Sequence, residues 1–82
     1  MIYFLNIVEC KDKSLYSGIT WNLNKRINQH NSRINSSLQI SKIPVKLVYW
    51  EKFPDKLNAA RREKEIKGWR KSKKISLIKS LP

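Results

Sequence analysis

Eighty-two residues, with 40% hydrophobic content and three Trp, three Tyr and two Phe, suffice for one small folded domain over 1–82 and leave no room for a second. A formal charge of +12, from 18 Lys and Arg against 6 Asp and Glu, repels itself in so small a body and points to an anionic partner, nucleic acid first. The lone Cys10 excludes an internal disulfide and a cysteine-based zinc site and fits a reducing, intracellular (cytoplasmic) location; no segment has the basic and long apolar faces of a membrane-surface helix.

The apolar start, Met1 to Val8, lacks a basic flank and a small-residue cleavage site and is too short to span a membrane. It reads as a buried strand, Ile2 to Glu9. Tyr3, Leu5 and Ile7 share one face of it, and Phe4, Asn6 and Val8 the other. Asn6 is out of place there, since Asn is a poor strand former and a buried amide without partners costs about 1–3 kcal/mol. Something polar is therefore expected opposite it. The polar turn Cys10 to Ser14 leads into a second strand, Leu15 to Ile19, which makes an antiparallel hairpin.

Thr20-Trp21-Asn22 feeds a helix capped by Asn22, on which Leu23, Ile27 and Ile34 form an apolar stripe. Arg26 and His30 lie on or beside that stripe. The helix fades in Asn31 to Ser37, and Ser32 to Ile43 reads as a basic connection. Pro44 opens a third strand, Val45 to Glu51, of strong β composition but imperfect alternation. Asp55 caps a second helix running to about Lys67 before Gly68. Glu63 falls on its apolar side with Ala59, Ala60 and Ile66, whereas Glu65 faces out beside Arg61. A last helix, Ser72 to Leu81, offers Ile75 and Ile78 to the core with Lys71, Lys73, Lys74 and Lys79 around them.

A strand tyrosine and a helix arginine and histidine thus point into one volume, with an inward carboxylate elsewhere in the chain. Hydrolysis of a phosphodiester asks for a Lewis acid, a base for the attacking water and positive charge on the phosphate. Glu63 suits one Mg²⁺ or Mn²⁺, since Mg²⁺ keeps most of its waters and needs few protein ligands. Tyr16 suits the base if surrounding cations favour its ionised form, Arg26 a phosphate oxygen, and His30 a hydrogen bond to either. Each residue also has a plainer role: Tyr16 as core packing, His30 as a structural histidine, Glu63 as the ion-pair partner of Arg26. Composition and periodicity alone reach a basic α/β nucleic-acid binder, with Lys25, Arg33, Arg61, Arg62, Lys67, Arg70, Lys71, Lys73 and Lys74 as its candidate contacts.

At these residues the chain resembles the GIY-YIG nuclease superfamily, in particular its small single-domain members similar to the UvrC N-terminal domain. Tyr16-Ser17-Gly18-Ile19-Thr20 resembles the second half of the family signature, and Arg26 with Gln29-His30-Asn31 the helix motif. Pro44 to Tyr49 resembles the third strand, and Ala60 to Trp69 the metal-site helix, with Glu63 at the metal-binding glutamate. The resemblance spans nearly the whole chain. It implies an α+β fold, a three-stranded antiparallel sheet flanked by helices, and DNA cleavage with one divalent metal ion. By that analogy Tyr16 is the general base, Arg26 and His30 assist at the phosphate, and Glu63 holds the metal.

One position departs from the pattern. The tyrosine of the first signature half falls at Asn6, and an amide cannot act as a phenolic acid or base. Tyr3 lies on the opposite face and cannot substitute without a register shift. The expected activity is therefore a metal-dependent endonuclease impaired at Asn6. The alternative is a catalytically silent nucleic-acid-binding module on the same scaffold. Without a separate recognition module, a preference for branched, nicked or nonspecific duplex DNA is expected rather than a base sequence.

Overall fold

In a computed structural model, residues 1–32 and 40–80 are described. Their order is β1 (Tyr3–Glu9), β2 (Leu15–Thr20), α1 (Leu23–Asn31), a 3₁₀ turn (Ile40–Lys42), β3 (Lys46–Phe53), α2 (Lys56–Lys67) and α3 (Lys71–Lys79). The three strands form one antiparallel sheet in the order β2-β1-β3, with β1 in the middle. This is the α+β arrangement expected from the sequence.

The two-residue period of β1 sorts its side chains as expected. Leu5 and Ile7 are fully buried with Tyr49 and Ile66, and Leu15, Ile19, Val48, Phe53, Trp69, Leu77 and Ile78 pack around them. This face lies under α2 and α3. On the other face Val8 joins Cys10 and Val45, with Tyr16, Ile27, Ile43 and Leu47 packed against them, so that α1 covers only the Val8 end of the sheet. Burying a side chain such as Leu5 or Ile7 contributes about 1.5–3 kcal/mol.

The imperfect alternation of the third strand has a local cause. Between Ile7 and Val8 the register shifts, so that Ile7 faces Tyr49 while Val8 faces Leu47. Val48 is the extra residue of a β-bulge, which sends Val48 and Tyr49 both toward the α2 and α3 side. The strand also runs to Phe53, two residues beyond the Glu51 end expected from composition, because Tyr3 and Phe4 extend β1 to pair with Phe53 and Lys52.

The caps follow the sequence. Asn22 Oδ1 accepts from the Lys25 N–H at 3.0 Å, and Asp55 Oδ1 from the Asn58 N–H at 2.8 Å. Gly68 ends α2 as expected. In α3 the core contacts are Leu77 and Ile78, whereas Ile75 is 36% exposed. The expectation of Ile75 in the core is thereby corrected: a helix this short rests on the sheet with one narrow stripe, and Leu77 occupies the place assigned to Ile75. Its expected end at Leu81, the Ile34 part of the α1 stripe and most of the basic connection lie outside the described residues.

A polar strut joins α2 to the sheet. Arg62 donates from Nε to Glu51 Oε1 and from Nη2 to Glu51 Oε2, both at 3.0 Å, and from Nη1 to Glu65 at 2.6 Å. The Tyr49 hydroxyl donates to the same Glu51 carboxylate, and Arg62 also lies over the Trp69 ring. Burial, then the Glu51 carboxylate, pushes the Tyr49 hydroxyl up to about 12. Burial opposes ionisation of Glu51, but hydrogen bonds from Arg62 and Tyr49 outweigh it and hold the carboxyl below its ordinary range.

Candidate active site

The sheet face away from α2 and α3 carries rows of cross-strand neighbours. Asn6 on the central strand faces Gly18 on one side and Trp50 on the other. Gly18 is where three candidate residues meet. A Cβ placed there would lie 3.9 Å from Glu63 Oε2, 3.9 Å from Tyr16 Cε1 and 4.0 Å from Asn6 Oδ1. The absent side chain leaves one small volume that a carboxylate, a phenol ring and an amide all border.

Each of the three comes from a different element. Tyr16 projects from β2 two residues before Gly18, Asn6 from β1, and Glu63 from the helix packed beside β2. Glu63 is only 22% exposed, as its place on the apolar side of α2 predicts, and its ion-pair partner is Lys67 at 3.5 Å. The alternative pairing with Arg26 across the core is not the one formed. Glu65 faces out, 55% exposed, and pairs with Arg62.

Asn6 is buried, and its Nδ2 makes no hydrogen bond. The polar partner expected opposite it is absent from its two strand neighbours, a glycine and a tryptophan. The nearby polar groups are instead those bordering Gly18.

The α1 residues approach from the Tyr16 side. His30 is buried and stands edge to face against the Tyr16 ring, with centroids 5.7 Å apart. Burial, and then the charge of Arg26 one turn earlier, push the imidazole below its ordinary value, which favours the neutral ring. Asn31 sets the height of this turn of helix against the sheet. Its Oδ1 accepts from the Val45 N–H at 2.6 Å and its Nδ2 donates to the Val45 carbonyl at 3.3 Å, closing a two-point clamp on the backbone before β3.

A family model for the GIY-YIG catalytic domain matches residues 2–76. The chain belongs to that family. Among its relatives, a UPF0213 protein of Clostridium perfringens is 44% identical over 77 residues, covering 94% of this chain and 83% of the relative. A UPF0213 protein of Staphylococcus haemolyticus is 42% identical over 76 residues, covering 93% of each. The solution NMR structure of a UPF0213 protein from Bacillus halodurans matches with a TM-score of 0.63 at 35% identity, over 96% of this chain and 84% of that one.

In this GIY-YIG chain the expected site residues fall into two groups. Asn6, Tyr16 and Glu63 converge at Gly18, with His30 against Tyr16 and Arg26 beside His30. The expected nucleic-acid contacts are dispersed. Arg61, Lys67, Arg70, Lys71 and Lys73 are exposed and Lys74 is half-buried. Lys25 lies over the exposed Trp21 ring at 5.3 Å. Lys71 donates to the Lys13 carbonyl at 3.0 Å, and Lys73 lies over Trp69 at 4.2 Å. Arg62 differs from the others, because its guanidinium is held by Glu51 and Glu65 and serves the fold. Arg33 lies outside the described residues.

Two contributors escaped the sequence reading. Asn31 stands in the helix motif and at the start of the polar stretch, but neither shows its hold on Val45: an Asn at a helix end can satisfy the backbone of a crossing segment with both halves of its amide. Trp50 is one of three tryptophans whose exposure composition does not reveal, and it is 47% exposed beside Asn6. Among the described residues no helix is long and apolar enough to cross a membrane, and no three His, Cys, Asp or Glu side chains gather as metal ligands.

Proposed function

We propose that this GIY-YIG chain is a divalent-metal-dependent DNA endonuclease that hydrolyses a phosphodiester beside Gly18. The observation that carries the reading is the meeting of Tyr16, Glu63 and Asn6 around one atom position that has no side chain of its own. A carboxylate that can hold a metal ion and a phenol that can serve as base, side by side, are two of the parts that water attack on a phosphate requires, and family membership supports the same chemistry.

Glu63 is suited to a Mg²⁺ or Mn²⁺ ion. It is a single, mostly buried carboxylate beside the position left without a side chain at Gly18, and Mg²⁺ takes one or two carboxylates while keeping several waters. Bound there, the ion supplies Lewis-acid polarisation of the phosphate and charge for the leaving oxygen. The chain's own groups do the rest. Tyr16, as general base, takes the proton of the attacking water as the water's oxygen bonds to phosphorus. The P–O bond to the leaving nucleoside breaks, and that oxygen is protonated from solvent. Arg26 pairs with a nonbridging phosphate oxygen, while neutral His30 holds the Tyr16 ring in place.

Asn6 favours a second reading. Where the family signature has a phenol, this chain has a buried amide with an unpartnered Nδ2, and a site so altered suits a DNA-binding module that does not cut. The two readings separate in one assay: cleavage of labelled duplex and branched DNA with Mg²⁺ or Mn²⁺ by the chain and by Glu63→Gln, Tyr16→Phe and Asn6→Tyr. Cleavage abolished by Glu63→Gln supports the nuclease. Cleavage only by Asn6→Tyr, or DNA binding without cleavage by any version, supports the silent module.

A further inference from the structure

We infer that Trp50 is a stacking platform for an unpaired base, so that the preferred substrate carries single-stranded nucleotides next to the scissile phosphate. The inference deepens the nuclease reading and rests on it. Gly18, Asn6 and Trp50 form one row across the sheet. Two strand spacings, about 10 Å, therefore separate the backbone at Trp50 from the point where Tyr16 and Glu63 meet. A nucleotide flanking a phosphate held at Gly18 comes within reach of the indole.

Among the described residues no helix covers Trp50. It sits on the sheet face away from α2 and α3, and α1 packs only on the Val8 and Leu47 end of that face. The indole is 47% exposed. Phe4 braces it edge-on, with centroids 5.7 Å apart and planes at 75°, so the ring is steadied without being covered. Lys52, opposite Phe4 on the same face, is exposed and adds positive charge beside the aromatic pair.

An aromatic ring beside cations is the common device for holding single strands, because every base has a π-face and the backbone is anionic. The charge of +12 complements that backbone. In an intact duplex the base faces are already stacked on one another. Only an unpaired base, as in a flap or at a junction, can lie on Trp50.

The test is metal-free binding of short labelled oligo(dT) and of a closed duplex circle, which has neither loop nor end, by the chain and by Trp50→Ala, Trp50→Thr and Trp50→Phe, with sedimentation of each protein. Thr keeps β propensity if Ala fails to fold. Loss of about tenfold in oligo(dT) affinity for the Ala or Thr variant, little change on the duplex and recovery by Phe support the platform. Equal loss on both ligands, or none, overturns it and leaves the nuclease reading standing. A dimer that becomes a monomer on Trp50→Ala, with DNA affinity unchanged, assigns the face to a second copy and also overturns it. No DNA binding by any version overturns the nuclease reading itself.

Discussion

The His30 imidazole stands edge-on to the Tyr16 ring, centroids 5.7 Å apart and planes at 79°, and so joins α1 to β2 at the candidate site. Its environment favours the neutral form, because burial and then Arg26 lower its affinity for a proton. The unfolded chain therefore takes up this proton at higher pH than the folded one. Stability contributed by the neutral ring is complete above the ordinary value of 6.5 and is lost as pH falls below it. Urea midpoints measured from pH 8 to pH 5 should fall over that window, and His30→Gln should flatten the change. An unchanged slope in His30→Gln would assign the acid sensitivity to other groups.

Gly18→Ala probes the shared volume. The added methyl would make ordinary contacts with Glu63, Tyr16 and Asn6, so the fold should change by less than about 1 kcal/mol. Cleavage should nevertheless drop by about tenfold or more, because the space for the reacting phosphate is filled. Thermal melts and single-turnover rates separate the two effects.

Asn6→Val exchanges a buried amide whose Nδ2 makes no hydrogen bond for a β-branched side chain. Relief of the unsatisfied Nδ2, together with better strand propensity, should raise stability by about 1–2 kcal/mol. Denaturant unfolding checks the sign. A destabilised variant would mean that the amide is satisfied in solution.

Arg62→Met removes the strut between α2 and β3. Glu51 is 21% exposed and would keep its charge with no cation beside it and only the Tyr49 hydroxyl donating to it, which should cost about 2 kcal/mol, between the values for surface and fully buried pairs. Adding Glu51→Gln should recover part of the loss. Tyr49 belongs to the same network, with its hydroxyl raised to about 12, so the folded chain holds that proton when the unfolded one releases it near 10. Stability should accordingly fall as pH rises between those two values, and less so in Tyr49→Phe.

Asn31→Leu breaks both hydrogen bonds to Val45 and leaves that backbone amide and carbonyl unpaired. A loss of about 1–3 kcal/mol is expected, with a lower cleavage rate because the α1 turn carrying His30 loses its anchor. If stability falls while the rate per folded molecule is unchanged, the clamp serves the fold alone.

Much of this molecule follows from the sequence by itself. The Asn22 and Asp55 caps, the two faces of β1, the inward Glu63 and outward Glu65, the basic charge and the anomaly of Asn6 are all properties of one segment, and periodicity or local hydrogen bonding sets them. The tertiary structure alone decided what required two distant segments to meet. A one-residue bulge at Val48 turned Tyr49 inward and left Trp50 outward beside Asn6, and no local pattern in β3 encodes which register β1 will accept. Arg62 counted as one more cation until Glu51 came within reach, and Ile75 as a core residue until Leu77 took the contact. Glu63 came up to Tyr16 and Asn6 only when α2 settled beside β2, because the missing side chain of Gly18 lets elements distant in sequence close around one position.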